Sequence, residues 1–373
     1  MRRLTVVQVL PALQAGGVER STLEIAAALV AAGHRAIVVS AGGRLVPVLE
    51  GFGAEHVTLD IGRKSPLTLL KVPALRALLR REHADIVHAR SRLPAWIARL
   101  ALRGLPAADR PHFVTTVHGL NSPGRYSAVM TTGERTICVS ASVRAHVLAH
   151  YPQVDPARLR TIPRGIDPAA FPRTPGPDAA ARAAVAARWP ALGGDGPLLL
   201  LPGRGTRLKG HADALRLLAG LRGAGLDARL WLLGADQPGR GAYLDELRAE
   251  AARLGVGDAL AICAPRADMA AAYAACDLVL QLSRKPEAFG RTVVEALSVG
   301  RPVLGWAHGG VGELLAVLQP SGAVAPFDEA ALAHVAQACL ARPPAPPAAA
   351  PASVRPAAAP ATGAAASPAA RTA

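Results

Sequence analysis

The chain alternates between short apolar segments of strand-like composition and longer segments, rich in Ala, Leu and Arg, that have helical periodicity. The alternation runs through the first half of the sequence and starts again in the second half. Repeated strand-helix units require a parallel sheet with helices on both faces. Because 373 residues are enough for two such sheets with separate cores, the pattern predicts an α/β protein of two Rossmann-like, doubly wound domains.

The predicted strands fall into two sets separated by a proline-containing stretch at 163–177, which is the candidate linker. Strands are predicted at 4–10, 36–40, 86–88, 113–117 and 136–139, and then at 197–201, 229–233, 259–262, 278–282 and 302–304. We therefore expect an N-terminal domain at 1–168 and a C-terminal domain at 169–340. Doubly wound sheets bind ligands beyond the carboxyl ends of their strands, so the cleft between the domains is the expected site.

Residues 341–373 form a tract rich in Pro and Ala that has no apolar periodicity. Such a segment cannot bury enough apolar surface to offset the entropy that ordering would cost. We expect this tail to be disordered.

The formal net charge is +15, almost all of it from arginine. A basic balance of this size suits phosphorylated ligands, nucleic acid or an anionic membrane surface, and the codon bias of a GC-rich genome would also produce it. Nucleic acid is not an expected partner, because aromatic residues make up only 3% of the chain and no recognition motif is present.

The four cysteines lie apart in apolar segments, which indicates buried, reduced thiols and a cytoplasmic protein. The apolar run after Arg3 is short, contains Gln8 and leads into a glycine loop, so it predicts a strand and not a signal peptide. No segment reaches the roughly 18 uninterrupted apolar residues of a membrane-spanning helix. Any membrane contact is expected to be peripheral, at the cytoplasmic face of the inner membrane.

Gly16 and Gly17 follow the first predicted strand and precede a helix that extends to Val30. Paired glycines at such a turn let backbone N–H groups approach a phosphate at the positive end of the helix, although a tight turn alone also favours glycine. The loop is not GxGxxG, and no acidic residue ends the strand to hold a ribose. A dinucleotide site, and with it hydride transfer by a nicotinamide cofactor, is therefore disfavoured.

A second glycine loop follows the first strand of the C-terminal domain and contains Arg204 and Lys209. A guanidinium fork and an ammonium group on one flexible loop would clamp a diphosphate. The loop is not a Walker motif, because Gly210 follows the lysine instead of preceding it. A solvated turn with two basic residues is the alternative.

The strongest local signal follows an apolar strand and opens a helix, and it consists of Glu287, Phe289, Gly290, Arg291 and Thr292. If the helix starts near Gly290, the N–H groups of 289–292 converge on one anion site, with Glu287 at its mouth.

Glu295 lies farther along the same helix, between apolar neighbours. A carboxylate in so apolar a segment usually has a partner, so we expect it to accept hydrogen bonds from ribose hydroxyls; a surface position is the alternative. His118 follows the strand predicted at 113–117 and therefore lies at its carboxyl end, facing the cleft, where a histidine bonds a sugar hydroxyl or moves a proton. His88 ends an earlier strand in the same way.

Together these residues resemble the group-1 family of retaining glycosyltransferases with the GT-B fold. The matching segments are Gly16-Gly17-Val18-Glu19, His118-Gly119, Pro163-Arg164-Gly165-Ile166-Asp167, Pro202-Gly203-Arg204 with Lys209-Gly210, and Glu287 with Glu295. They occur in the order and spacing of the family over roughly residues 4–335.

The resemblance implies a hexosyltransferase that moves a sugar from a nucleoside-diphosphate sugar, by frequency among relatives a UDP-sugar, to a glycan or lipid-linked acceptor. It implies no metal and no other cofactor. Retention in this family is attributed to front-face attack, so no protein nucleophile is expected. The motif variants at 164–167 and 287–291 resemble bacterial enzymes that build lipopolysaccharide core or other surface glycans.

The resemblance also implies roles for single residues, with His118, Glu287, Arg204 and Lys209 as the catalytic candidates. In those roles Arg204 and Lys209 neutralise the diphosphate, and the N–H groups of Phe289, Gly290, Arg291 and Thr292 support its phosphate. Glu295 binds the ribose and Glu287 contacts the donor sugar. From the other domain, Gly16 and Gly17 approach the diphosphate and His118 meets the sugar near its primary hydroxyl.

The sequence departs from the family at two points. The helical pattern at 329–340 ends in the Pro/Ala tract, where the family has a helix that crosses back onto the first domain. Arg291 stands where an apolar residue is common. A nucleotide-sugar epimerase of the same fold, and a catalytically impaired nucleotide-sugar-binding protein with a degenerate C-terminus, are the remaining alternatives.

Residues 65–81 place leucines at helical spacing among basic residues, directly after Arg63 and Lys64. A basic amphipathic helix of this kind lies on an anionic membrane surface. An ordinary domain helix with a solvated basic face is the equal alternative.

Overall fold

The structure, a computed structural model, describes residues 2–14 and 16–347. Its strands form two parallel sheets, one in each half of the chain. The expected α/β fold of two Rossmann-like domains is thereby confirmed. We expected the tail at 341–373 to be disordered. From residue 348 onward, that tail lies outside the described residues.

The first sheet has seven parallel strands in the order β3-β2-β1-β4-β5-β6-β7. They are β1 Thr5–Val9, β2 Arg35–Ser40, β3 Glu55–Thr58, β4 Ile86–Ala89, β5 His112–Val117, β6 Arg135–Cys138 and β7 Leu159–Thr161. The order reverses between β1 and β4, so the loops after these two strands flank the switch point at which such sheets bind ligands.

The second sheet has six parallel strands in the order β10-β9-β8-β11-β12-β13. They are β8 Leu198–Pro202, β9 Arg229–Leu233, β10 Leu260–Cys263, β11 Leu278–Gln281, β12 Val303–Trp306 and β13 Ala323–Val324. Its switch point lies between β8 and β11. The loop with Arg204 follows β8 and the loop with Glu287 follows β11, so the topology places both at this point.

The α-helices connect the strands and cover both faces of each sheet. In the first half they are α1 Gly17–Ala31, α2 Val46–Gly51, α3 Val72–Arg81, α4 Arg92–Arg103, α5 Arg125–Ala128 and α6 Ala141–His150. In the second half they are α7 Ala179–Arg188, α8 His211–Gly223, α9 Gly241–Arg253, α10 Met269–Ala275, α11 Arg291–Val299, α12 Gly309–Leu318 and α13 Glu329–Ala341. No helix among the described residues is long and apolar enough to cross a membrane.

The two covered faces explain why the central strands are apolar along their whole length. In β8 the consecutive residues Leu198, Leu199, Leu200 and Leu201 are all buried. Leu198 and Leu200 pack into one apolar cluster, and Leu199 and Leu201 pack into another on the opposite face. A strand buried on both faces has no polar alternation, which is the pattern that the sequence shows here.

Three strands were not predicted, namely β3, β7 and β13. Each lies at an edge of its sheet or has only two or three residues. The residues of β3 are half-buried or exposed, so this strand has no continuous apolar run to mark it.

The segment 65–81 is a 3-10 turn, Pro66–Lys71, followed by α3, and it is not one amphipathic helix. The apolar face of α3 packs into the core of the first domain through Leu75, Leu78 and Leu79. The interpretation of α3 as a helix lying on a membrane is therefore wrong, and the alternative of an ordinary domain helix is correct. The exposed leucines of the segment are Leu67, Leu69 and Leu70, all in the turn.

The stretch expected to be the linker contains no helix or strand from 163 to 177. Its second half is held by the second sheet's helices and loops: Ser298 Oγ donates to the carbonyl of Phe171 at 3.0 Å, and Arg301 Nη2 donates to that of Thr174 at 2.8 Å. The boundary at residue 168 stays a prediction.

The two halves of the molecule also meet through Glu313 of α12. Its carboxylate accepts the backbone N–H groups of Ala141, at 2.9 Å, and of Ser142, both in the first turn of α6. An acidic side chain at a helix N-terminus satisfies N–H groups that have no partner within the helix and interacts favourably with the helix dipole. Here the acid comes from one domain and the helix from the other.

Candidate functional site

The loops after β8 and β11 meet in an ion pair between Lys209 Nζ and Glu287 Oε1. Lys209 ends a 3-10 turn that leads into α8, and its aliphatic stem lies over Gly203. Arg204 is exposed in the same loop, and its side chain makes no hydrogen bond or ion pair within the part of the chain that the structure describes. The predicted pair of basic residues is thus split between one that is held and one that extends into solvent.

Glu287 is embedded in polar groups of the second domain. Besides Lys209, the Ser283 hydroxyl donates to Oε1 and the Gln281 amide donates to Oε2 at 3.4 Å. The backbone carbonyl of Glu287 accepts the N–H of Gly310 at 2.7 Å. These contacts fix both the carboxylate and the backbone that leads into α11.

Helix α11 begins at Arg291 with Gly290 as its N-cap, one residue from the expected start. Gly290 has φ 118°, and a Cβ there would meet Val311 Cγ2 at 3.0 Å, so both the backbone conformation and the space favour glycine. No side chain of the described residues caps this helix. Its first N–H groups and the positive end of its dipole, next to the buried Phe289 and the half-buried Thr292, are therefore available to an anion.

Glu295, four residues into α11 from Arg291, is only 6% exposed, so the alternative of a surface position is wrong. Its carboxylate accepts from the Tyr273 hydroxyl at 2.9 Å and from Arg291 Nε at 2.8 Å. Burial, together with the adjacent Glu295 charge, holds the pKa of Tyr273 well above its ordinary value, so the phenol stays a donor. A carboxylate has about four acceptor positions, which leaves Glu295 capacity for ribose hydroxyls.

Arg291 joins the two domains. Its Nη2 binds Glu24 Oε1 of α1 at 2.5 Å, while its Nε binds Glu295. Burial opposes the charge of Arg291, but the hydrogen bonds and attraction of the two carboxylates outweigh it and raise the pKa of the guanidinium. Arg20 of α1 also comes within 3.8 Å of Glu295. The first helix of one domain thus lies against the candidate donor site of the other.

Gly16 and Gly17 form the N-terminal end of α1. Gly16 is the N-cap with φ 140°, and the Glu19 carboxylate lies over it, whereas a Cβ on Gly17 would meet open space. Residue 15, next to them, lies outside the described residues. The backbone conformation therefore requires glycine at position 16 but not at position 17. The approach of Gly16 and Gly17 to a phosphate stays a prediction.

His118 follows β5 and is half-buried. Its Nδ1 accepts a hydrogen bond from Arg164 Nη2 at 2.9 Å. Burial, and then the charges of Arg90 and Arg164, hold the pKa of His118 well below its ordinary value. The ring is therefore neutral near pH 7, with its proton on Nε2.

Arg90 follows β4 and is 2% exposed, although it carries a charge. Its Nη1 donates to Gln8 Oε1 at 3.0 Å and its Nη2 to Ser21 Oγ at 2.6 Å, both neutral acceptors. Its Nε has no hydrogen-bond partner among the described residues. Burial, and then the repulsion of Arg164, lowers the pKa of Arg90 to about 9. His88 is buried, and its Nε2 forms a hydrogen bond of 2.7 Å with the Thr116 hydroxyl.

A cavity of about 380 Å³ opens at the carboxyl ends of β1, β4 and β5, and both Arg90 and His118 line it. It is within the volume range of small-ligand sites. Lys64, Arg92 and Tyr126 lie on its other walls. The first domain thus has a pocket of its own, separate from the loops after β8 and β11.

The structure brings together Lys209 with Glu287, and Arg291 with Glu295, around the start of α11. No hydrogen bond or ion pair within the described ranges joins Arg204, Gly16 or His118 to these pairs. Sequence reasoning did not identify Arg90, Glu24 or Tyr273. Arg90 carries the same signal that marked His118, a polar residue at the carboxyl end of a strand, while Glu24 and Tyr273 are visible only through tertiary contact.

Comparison with known proteins identifies two families. Residues 15–170 match the family described as Glycosyltransferase Family 4, and residues 189–347 match the family described as Glycosyl transferases group 1. The two matches divide the chain as the two sheets do.

Among curated relatives, a D-inositol 3-phosphate glycosyltransferase of Stackebrandtia nassauensis is 32% identical over 253 residues. This match covers 61% of the present chain and 54% of the relative, so the chain spans about half the length of that protein.

Among solved structures, a glycosyltransferase from Rickettsia africae ESF-5 is 28% identical with a TM-score of 0.80, covering 91% of this chain and 89% of that one. Anabaena Alr3699/HepE, solved in complex with UDP and glucose, is 21% identical with a TM-score of 0.73 and covers 91% and 90% of the two chains. The second likeness shows the fold alone.

Proposed function

Because this chain belongs to the group-1 family of glycosyltransferases with the GT-B fold, we propose that it moves a hexosyl group from a UDP-sugar to a glycan or glycolipid acceptor, with retention and without a metal. The observation that carries the proposal is the uncapped start of α11 with Lys209, Glu287 and Glu295 around it.

The donor diphosphate is assigned to the start of α11 and to the two basic residues of the β8 loop. The helix offers N–H groups and a dipole, Arg204 offers a guanidinium fork and Lys209 offers an ammonium group. The exposed Arg204 is able to close over the diphosphate without breaking a contact. The choice of UDP is supported by the UDP complexes of Alr3699/HepE, which has the same fold.

The chemistry asks the protein to orient two substrates and to stabilise the charge that develops on the departing diphosphate. Arg204, Lys209 and the helix dipole supply that charge stabilisation, which removes the need for a divalent ion. Front-face attack lets an oxygen of the leaving phosphate take the acceptor proton. His118 then acts as a neutral hydrogen-bond donor through Nε2 to a sugar hydroxyl, because its Nδ1 already accepts from Arg164.

For the pathway, we propose synthesis of lipopolysaccharide or another surface glycan, on the support of the motif variants at 164–167 and 287–291. We place the reaction at the cytoplasmic face of a membrane, with the exposed Leu67, Leu69 and Leu70 beside the basic Arg63 and Lys64 as the contact. Sedimentation with anionic and neutral vesicles tests this. Anionic-selective binding that disappears in Leu67→Ser/Leu70→Ser supports the contact, and binding unaffected by these changes removes it.

The donor is tested by calorimetric titration of the purified chain with UDP, GDP, ADP and NAD in EDTA. We expect metal-free binding of UDP that weakens about tenfold or more in Arg204→Ala and in Glu295→Gln. Arg248→Ala, which removes an exposed arginine paired with Asp245 of its own helix, is the matched control and retains wild-type affinity.

The outcomes separate the alternatives. Preference for NAD contradicts the transferase proposal, and absence of nucleotide binding by a folded chain contradicts both the transferase and the nucleotide-sugar-binding alternative. Nucleotide binding without any turnover favours the impaired binding protein. Conversion of a UDP-sugar to its epimer without any acceptor favours the epimerase. Release of UDP that depends on an acceptor supports the transferase.

A further inference from the structure

The pocket at the carboxyl ends of β1, β4 and β5 has an unbalanced charge. Among its described lining residues are the cations Lys64, Arg90 and Arg92 and no carboxylate. A ligand in this pocket therefore meets a positive potential from several directions, in a site whose protein walls lower the effective dielectric constant.

Arg90 is the clearest sign that an anion belongs in the pocket. A buried charge is costly unless a counter-charge or a full set of hydrogen bonds offsets the loss of solvation. Among the residues that the structure describes, the partners of Arg90 are the neutral Gln8 and Ser21, and its Nε has none. The charge of Glu24 raises the pKa of Arg90, but the Glu24 carboxylate is bonded to Arg291.

Arg164 adds to the excess of positive charge from behind His118. It is half-buried, and its Nη2 donates to His118. Burial lowers the pKa of Arg164 to about 10; the charge of Glu24 opposes this shift and the charge of Arg291 reinforces it. The buried Arg90 and the half-buried Arg164 repel each other, and an anionic group that enters the cavity stabilises both.

We propose that this pocket binds the acceptor through a phosphate group, so that the acceptor is a phosphorylated sugar or polyol, either free or as a lipid headgroup. The proposal rests on the transferase function proposed above. It assigns Arg90, Arg92 and Lys64 to the acceptor phosphate, and it places the acceptor hydroxyl near His118, across the cleft from the start of α11. Arg92 is held for this by its contact with Ser127 Oγ at 3.3 Å and by the Tyr126 ring at 5.2 Å.

Acceptor binding is tested by calorimetry in the presence of saturating UDP, which occupies the donor diphosphate clamp. The probes are inositol 3-phosphate and glucose 6-phosphate, with inositol and glucose as their neutral counterparts. We expect a phosphorylated probe to bind at least tenfold more tightly than its neutral counterpart, and Lys64→Gln and Arg92→Gln each to remove most of that preference. Arg103→Gln, at the exposed opposite end of α4, leaves it unchanged.

Lys64 is exposed and Arg92 half-buried, so neither substitution requires the buried Arg90 to be disturbed. Thermal unfolding and UDP affinity of each variant serve as controls of folding and of the donor site. Failure to bind UDP counts against the transferase proposal. Equal affinity for phosphorylated and neutral probes, or a preference that survives in both variants, overturns the phosphate pocket while leaving the donor result intact.

A second arm compares the soluble probes with vesicles that contain phosphatidylinositol phosphate. Binding of the soluble probe that depends on Lys64 and Arg92 assigns a free acceptor. Binding only to the vesicles that is lost in Arg92→Gln, a residue outside the proposed membrane contact, assigns a lipid headgroup. Both results support the pocket, and binding in neither arm contradicts it.

Discussion

Buried ionisable side chains without matched partners mark this protein at the scale of single residues. His211, the first residue of α8, is fully buried, with Nδ1 at 3.3 Å from the Tyr243 hydroxyl and Nε2 without a partner among the described residues. Burial lowers its pKa from 6.5 to about 4. The folded chain thus keeps a neutral imidazole at pH values where an unfolded chain would protonate it.

This difference makes stability depend on pH. The contribution of neutral His211 to the free energy of unfolding is complete above pH 6.5 and is lost as pH falls toward 4. In that pH range only the unfolded state binds a proton at this imidazole. His211→Asn removes the titration and keeps a hydrogen-bonding group near Tyr243. Between pH 7.5 and pH 5, urea unfolding should therefore show a loss of stability about 2 kcal/mol smaller in His211→Asn than in the wild type.

The exposed His150, at the end of α6, provides the control. His150→Asn should leave the wild-type pH dependence in place. Equal losses in wild type and His211→Asn would show that His211 is not held neutral by the fold.

At the scale of elements, the start of α11 depends on one glycine conformation. Gly290 has a positive φ and close neighbours from α12, whereas Gly220, within α8, has open space where a Cβ would lie. The same substitution should therefore act in opposite directions at the two positions.

Gly290→Ala should destabilise the chain by about 1–3 kcal/mol because alanine is strained at this φ. Gly220→Ala should stabilise it by about 0.5–1 kcal/mol because alanine has less backbone entropy to lose in a helix. Chemical denaturation of both variants measures the two changes. A stabilised Gly290→Ala variant would mean that α11 starts elsewhere, and UDP titration of that variant would show whether the anion site depends on this cap.

The sequence predicted the central elements because burial on both faces leaves a continuous apolar run, as in β8. It did not predict β3, whose residues are half-exposed, because an edge strand is defined by its neighbour and not by its own composition. Site residues were found where a polar group follows a strand, as with His118. The pairing of Lys209 with Glu287, and of Arg291 with Glu24, depends on side chains 78 and 267 positions apart in sequence, which no local pattern encodes.

At the scale of the whole molecule, Arg20 lies within 3.8 Å of Glu295, and two closer charged contacts also join the domains. They are Arg291 with Glu24, and Glu313 with the first turn of α6. Each contact is worth about 0.5–1 kcal/mol by analogy with ion pairs and helix caps that are partly exposed to solvent. Small contributions of this size suffice to shift a balance between open and closed arrangements of the domains.

The double variant Arg291→Leu/Glu313→Ala should open the cleft in the absence of ligand. Small-angle X-ray scattering should then give a larger radius of gyration than for the wild type, and the same increase should follow from high salt, which screens both contacts. Arg248→Leu is the control because its partner Asp245 lies in its own helix. An unchanged radius would show that apolar packing alone holds the domains.

Each of the two sheets is built from one uninterrupted stretch of chain: all strands of the first lie between Thr5 and Thr161, and all strands of the second lie between Leu198 and Val324. During synthesis, the first sheet is therefore complete before the ribosome has made the first strand of the second. Domains fold as units and N-terminal domains fold first. The cleft between the two domains is consequently assembled last, when the second domain folds against a partner that already exists.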